Sequence, residues 1–565
     1  MVNFKERKRI KMPRVSVGEW FQKMVLYYIP LLILLTFVLF PLFEMVLKGF
    51  TDDGHFSLRF YKQVLSTSSF KTSLVHSISV GIVVSFLCTF VSMFYAIVSY
   101  YSKSKSIKTI LTLITLVSLI SPPFVSSLSY IQLYGRRGLI TSALLHLSIN
   151  PYNVYGIILM QVISFAPFNI VFLLGFMKNI SSYSINAARS LGANDSHILT
   201  DVIVPSLFPS LLSLFMLTFI RSISDYATPI VIGGRFNTIA SDIYLQMIGY
   251  SDLNKVSVLN MSIMIPSVIA FVLYYRGEQR NALLDRTSMV TTSHSFSPFR
   301  AGVLGFIMII FTSIVGIMSF LQYASILFSS FFKYTKNGYK FTSEYINTFL
   351  KMDMTSVIRS IVYSFIVIFI SLFMSLLLSY YITRVKGRKS HFTEILILLP
   401  YTIAGPTFGI AYLLAFNHKP IYITGTALIV ILNMTFKQFP VSYRIIEDSL
   451  KSIDISEDKS ALSLGASRFR VIKDIIFPKM KDGSFSLFVY NFSTSMTTAG
   501  AIIFLITPSK QLAVFKLFDA VYVGDYGRAS VIASAIILIV ALIEGLFAIL
   551  IRRENKLKKR SVYVS

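Results

Sequence analysis

The sequence predicts an all-α polytopic membrane protein made of two homologous halves, each with six transmembrane helices. Three observations carry that expectation. Of 565 residues, 54% are hydrophobic and only 14% charged, and the mean hydropathy of +0.67 lies above that of soluble domains. About a dozen apolar runs are long enough to cross a hydrocarbon core roughly 30 Å thick. A polar segment of the first half recurs, without a gap, 273 residues later. The short alternating strands of a membrane β-barrel are absent from the pattern.

Apolar runs and turn signals place the spans at 25–47, 73–98, 108–132, 153–177, 207–231 and 256–275, and again at 301–328, 356–382, 392–416, 421–440, 485–507 and 529–551. The first follows the basic run Lys5 to Arg14, as a signal peptide would. It is long, however, holds Pro30 and Pro41 and lacks a small-residue cleavage site, so it reads as a retained helix. Lys103, Lys105 and Lys108 follow the second span, and Arg384, Lys386, Arg388 and Lys389 follow the eighth. With Lys5 to Arg14 and Arg552 to Arg560, they predict cytoplasmic loops and two cytoplasmic termini in a multi-pass protein of the cell (inner) membrane. Arg136 and Arg137 fall on the other side in this scheme and weakly oppose it. The polar stretch Arg276 to Arg300 reads as a linker between halves. The division is then a basic N-terminus (1–26), a first half (27–290), a second half (291–551) and a basic C-terminus (552–565).

The net charge of +27 is concentrated beside apolar spans, which points to a lipid bilayer as the partner and not to nucleic acid. Cys88, the single cysteine, lies inside an apolar span, so no disulfide framework or cysteine metal site is expected.

In the repeat, NAARSLGANDSHILTDVIVP (Asn186 to Pro205) aligns with KSALSLGASRFRVIKDIIFP (Lys459 to Pro478), and eight of twenty positions are identical. Each copy is too polar to span a membrane and has the grammar of two short helices joined at a glycine. Asn194 and Ser467 are good N-caps for the second helix. Ile198, Leu199, Val202 and Ile203, matched by Val471, Ile472, Ile475 and Ile476, form an apolar stripe. Pro205 and Pro478 mark where the next span should begin, because a proline disfavours helical geometry in the residue before it.

These segments resemble the EAA loops of ABC-importer permeases, whose pattern is E-A-A, three residues, G, and a proline thirteen residues later. Asn186-Ala187-Ala188 to Gly192 to Pro205 is one copy, and Lys459-Ser460-Ala461 to Gly465 to Pro478 is the other. The acid is replaced by Asn186 in one and Lys459 in the other, which puts any salt bridge of the family's glutamate in doubt. The resemblance implies the type I importer permease fold and two coupling helices, which would engage two copies of an ABC ATPase subunit. It also implies an external substrate-binding protein. This chain would bind no cofactor itself, with ATP and Mg held by the partner subunits. Pro122 to Gly138, Phe219 to Gly234 and Phe492 to Pro508 are similar to segments of the fused permeases that import ferric iron in gram-negative bacteria. Fused permeases for thiamine and phosphonates share much of the layout and are the nearest alternatives. An ion-coupled secondary transporter would also show repeats but would not need two EAA-like loops.

Candidate pathway residues are Arg221 and Asp225, four apart in the fifth span and expected to pair on one helical face. Their counterparts at the 273-residue offset, Thr494 and Thr498, are uncharged. Glu544, in the last span, is expected to make a local salt bridge or to snorkel towards Arg552 and Arg553. The 31 tyrosines are explained by membrane interfaces, and no metal site is assigned to them. No phosphate-cradling loop, H-E-x-x-H or G-x-S-x-G occurs, so catalytic residues are not expected and the energy must come from a partner.

Overall fold

A computed structural model describes residues 17–284, 296–386 and 391–562, apart from positions 53, 137, 145, 147–149, 179, 251, 336 and 337. The basic run Lys5 to Arg14 and the boundary between halves at 290/291 lie outside the described residues. In chain order the first half contributes α1 (Trp20–Gly49), α2 (Ser68–Tyr101), α3 (Lys105–Leu119), α4 (Pro123–Tyr134), α5 (Val154–Met177), α6 (Ser182–Ser190), α7 (Asp195–Ile223), α8 (Ile239–Tyr250) and α9 (Leu253–Leu284). The second contributes α10 (Gly302–Phe331), α11 (Met354–Tyr380), α12 (His391–Thr402), α13 (Gly405–Ala415), α14 (Ala427–Lys451), α15 (Ile455–Ser463), α16 (Lys481–Thr497), α17 (Ala513–Val523) and α18 (Tyr526–Val562). The described strands form two small hairpins, β1 (Thr51–Asp52) with β2 (His55–Phe56) and β3 (Phe332–Thr335) with β4 (Gly338–Phe341).

From α5 onward the repeat is visible as structure. At the 273-residue offset α5 starts opposite α14, α6 coincides with α15 at both ends, and α9 starts opposite α18. Among the described residues, eight helices are long and apolar enough to cross a membrane, or ten if each bent pair counts as one span. The pairs are α3 with α4 and α12 with α13, each bent by 112°. The expected single spans at 108–132 and 392–416 are therefore broken. Prolines 122, 123, 400 and 406 lie at or near the two breaks and remove N–H donors there. The expected spans at 421–440 and 485–507 correspond to α14, 25 residues long but more polar than the eight, and α16, only 17 residues long. The polar stretch expected to begin at Arg276 is helical as far as Leu284.

The residues before the repeated prolines are not pushed out of helical geometry as expected. Val204 and Phe477 are both in the right-handed helical region. In both halves a wide π-helical turn, Ile198–Ile203 or Ile472–Ile476, ends one residue short of the proline. The same device precedes Pro30 and Pro41, at Met24–Tyr28 and Leu35–Leu39. Widening the turn relieves the clash of the proline ring with the preceding turn; the helix carries on past Pro205 to Ile223, whereas past Pro478 it runs only to Lys479 before a turn at Met480.

The halves are interlocked rather than merely abutted. Tyr412 of α13 donates to the Phe37 carbonyl of α1 at 2.6 Å, and Gln322 of α10 donates to Ser126 of α4 at 2.8 Å. Each half's first helix thus bonds to the broken span of the other. The broken spans in turn reach the opposite half's last helix, through Gln132 to Ser530 at 2.7 Å and Thr407 to Asn260 at 2.5 Å. Close approach explains Gly409, where an added Cβ would stand 2.5 Å from the Ala501 carbonyl oxygen.

Candidate functional site: the repeated loops and the seam between the halves

In both loops the glycine closes the first helix in the same way. Gly192 and Gly465 adopt φ of +88° and +84°, a conformation that costs glycine no Cβ clash. The turn is completed by Ala193 N–H to Ala188 O (3.0 Å) and Gly192 N–H to Arg189 O (3.0 Å). Its twin uses Ala466 to Ala461 (3.1 Å) and Gly465 to Leu462 (3.0 Å). These paired bonds define a Schellman motif and satisfy carbonyls left free at a helix end. Asn194 and Ser467 then cap the next helix, accepting from His197 and Arg470 N–H. Three of the four expected apolar positions are buried in each copy, Ile198, Leu199 and Ile203 in one and Val471, Ile472 and Ile476 in the other, while Val202 and Ile475 are half-buried.

The residue before each glycine is what the turn displays. Leu191 and Leu464 are each 89% exposed, among the most exposed large apolar side chains described. Their identity in both copies was the available signal. Asn186, Ala187, Lys459 and Ser460 are exposed on the same helices, Ala188 and Ala461 are half-buried, and Pro205 and Pro478 are exposed.

The two loops are anchored by different ion pairs. In the first, Arg189 bonds to the buried Asp195 and to the Ala193 carbonyl, stapling the two short helices. In the second, the acid stands one position before Lys459. Asp458, its side chain 5% exposed, pairs with Arg384 at 3.4 Å. Arg384 also donates to the carbonyls of Leu450 (2.8 Å) and Ile453 (2.6 Å), which closes the end of α14. Burial pushes the Asp458 carboxyl above its usual range, against the pull of Arg384. At the start of α15, the backbone N–H of Ser456 holds Asp454 below its usual range.

Arg221 and Asp225 do not pair. The helix ends at Ile223, so Asp225 lies beyond it and turns to cap the short helix Ala227–Ile232, accepting from the N–H groups of Ala227 (3.0 Å) and Thr228 (3.3 Å). Its other oxygen accepts from Gln161 at 2.9 Å, and Gln161 accepts from Ser222 at 2.6 Å. The half-buried Arg221 instead stacks on Phe165 and Phe168, its guanidinium carbon 4.9 Å from each ring centre. In the second half Thr494 and Thr498 bond to backbone carbonyls of their own helix, and Gln438 approaches Thr498 at 3.5 Å. Arg221 faces this half through Tyr401 and Tyr490, which lie within electrostatic reach of it. Glu544 Oε1 is buried without a hydrogen-bond partner among the described residues; the side chains of Arg552 and Arg553, towards which it was expected to reach, lie outside the described residues.

At the ends of α7 and α16 remote from the loops, an aromatic cluster closes the seam. Phe124, Tyr226 and Tyr244 of the first half meet Phe504 and Phe518 of the second, with ring centres 4.7 Å apart for Phe124–Phe518 and 6.3 Å for Tyr244–Phe504. Among the described residues no group of three or more His, Cys, Asp or Glu side chains could hold a metal ion.

The family described as the binding-protein-dependent transport system inner membrane component matches residues 89–283 and 375–556, one copy in each half. The chain belongs to this family. It is a multi-pass membrane permease, a transport subunit and not an enzyme, working with an ATPase and a substrate-binding protein. The permease is 29% identical over 436 residues to a ferric transport system permease protein of Actinobacillus pleuropneumoniae, covering 74% of this chain and 62% of that protein. It is 28% identical over 511 residues to a putative ferric transport system permease protein of Haemophilus influenzae, covering 86% of this chain and 78% of that one. The permease is also 24% identical over 266 residues to a putative 2-aminoethylphosphonate transport system permease protein of Salmonella paratyphi A, covering 45% of this chain and 91% of that protein.

Proposed function

We propose that this permease imports ferric iron, receiving it from an external binding protein and releasing it into the cytoplasm. The observation that carries the coupling part is the pair of leucine-tipped, glycine-closed loops at matching places in the two halves. Each loop docks one ATPase subunit, so two copies bind, and ATP and Mg stay on those subunits. The loops and both termini then face the cytoplasm, twelve crossings are completed by α14 and α16, and the aromatic cluster at Phe124, Tyr226, Tyr244, Phe504 and Phe518 closes the external side. Closure there favours a resting state that waits for the loaded binding protein, and ATP-driven approach of the loops opens it. Arg221, Asp225, Thr494 and Thr498 lie where the halves meet and border the route.

Iron as the cargo is supported by the two ferric permeases, which align with most of the chain. The phosphonate permease aligns with 45% of it. Uptake of radioactive iron into proteoliposomes holding this chain and its ATPase, with the binding protein outside, tests the assignment. ATP-dependent iron uptake is expected. No iron uptake beside ATP-dependent uptake of 2-aminoethylphosphonate or thiamine would transfer the assignment.

A further inference from the structure

Arg221 stands out among the basic side chains drawn into the interior. Lys437 donates to the carbonyls of Pro400 and Ile403, Arg359 to that of Gln511, and Arg384 to two carbonyls beside Asp458. Arg528 grips the buried Asp353 with two bonds of 2.8 and 2.6 Å. Arg221 has no such acceptor among the described residues, and its Nη1 is enclosed without a hydrogen-bond partner. The nearest carboxylate on its own segment, Asp225, has its two oxygens committed to Gln161 and to two backbone N–H groups. An arginine does not shed its proton to escape this situation.

Its surroundings place it at the seam. Phe165 and Phe168 hold the guanidinium on one side, the phenols of Tyr401 and Tyr490, both half-buried, belong to the other half of the chain, and Cys88 and Asp225 also lie within electrostatic reach. A planar group with fixed donors, stacked on rings and short of an acceptor, is suited to a phosphate or carboxylate. It repels a bare trivalent cation three times as strongly as it would a monovalent one at the same distance. The repeat counterpart of Arg221 is Thr494, whose hydroxyl is bonded to the Tyr490 carbonyl, so the arrangement occurs once and not twice.

We propose that Arg221 is an oxyanion-binding residue of the translocation route, so that the cargo passes the seam as a complex carrying a phosphate or carboxylate ligand and not as a naked cation. The inference rests on the iron reading only for what the oxyanion accompanies. It names one anion site per permease, on the first-half side of the seam.

The test uses the full permease with its ATPase in proteoliposomes, the iron-loaded binding protein outside, and both radioactive iron and labelled inorganic phosphate or citrate in the medium. Wild type is expected to accumulate labelled anion together with iron, near one to one. Arg221→Gln is expected to lose at least tenfold in uptake of both, while Arg221→Lys keeps a substantial part. Co-purification of the ATPase with each variant shows that the fold is intact. Phosphate and citrate arms separate the two anion sources. Wild-type iron uptake without either label, or wild-type uptake by an assembled Arg221→Gln permease, overturns the proposal while the iron reading stands. No iron uptake by wild type, beside 2-aminoethylphosphonate uptake that Arg221→Gln abolishes, sinks the iron reading and upholds the oxyanion site.

Discussion

Replacing Leu191 and Leu464 with serine tests the docking role where the geometry is most specific. Both side chains are 89% exposed, so the substitutions remove almost no contact within the permease. Exposed changes of this kind usually alter stability by less than about 0.5 kcal/mol. Burying a leucine against a partner is worth roughly 1.5–3 kcal/mol, which corresponds to about a 10- to 150-fold change in Kd. Each single variant is therefore expected to weaken its own ATPase site by that factor, with an unchanged melting temperature. The loops are distinct segments with different anchors, so the free-energy costs in the double variant should add. The assay is titration of purified ATPase subunit onto nanodisc-embedded permease, with melting followed in parallel. Single variants that bind within twofold of wild type, at unchanged stability, would refute the claim that the leucine tips are what the partner grips.

Gly192→Val and Gly465→Val place a β-branched residue at φ of +88° and +84° with open space around the new Cβ, so the strain of about 1–3 kcal/mol is purely backbone. Both should lower ATPase co-purification, whereas Gly338→Val, at φ +95° at the first residue of β4 and equally open, should not; equal loss in all three would mean general destabilisation. Arg384→Met strands a buried Asp458 and frees the carbonyls of Leu450 and Ile453, for an expected cost of about 3–5 kcal/mol by analogy with broken buried pairs, read as a lower unfolding midpoint. Asp458→Asn should be milder, because burial already disfavours its charged form; a larger loss for Asp458→Asn than for Arg384→Met would contradict this ordering. The purified permease alone should show no ATP turnover, and turnover abolished by a point change within this chain would contradict a partner-supplied energy source.

Several features were legible without coordinates because they depend on local chemistry. The loop glycines, the capping Asn194 and Ser467, and the buried stripe at Ile198, Leu199 and Ile203 all follow from spacing, and each stands as expected. The prolines misled for a local reason as well. Their penalty was correctly located, but a widened turn absorbs it, and sequence spacing does not distinguish a broken helix from one that changes pitch. The broken spans were missed because hydropathy averages over a window and is blind to a bend of 112°.

By itself the sequence determined that this chain spans a membrane, that it is two copies of one plan, and that each copy carries a glycine-closed polar loop. Bilayer solvation and backbone sterics act on stretches of a few to twenty residues, so their demands are written contiguously. Only the tertiary structure decided that Asp225 caps a helix rather than pairing with Arg221, and that Asp458 takes up Arg384 one position away from the missing acid. It likewise brought Arg221 to the tyrosines of the opposite half and crossed the first helices over the seam. Those outcomes turn on which of several chemically acceptable partners lies within about 3 Å, a distance set by the packing of helices far apart in the chain.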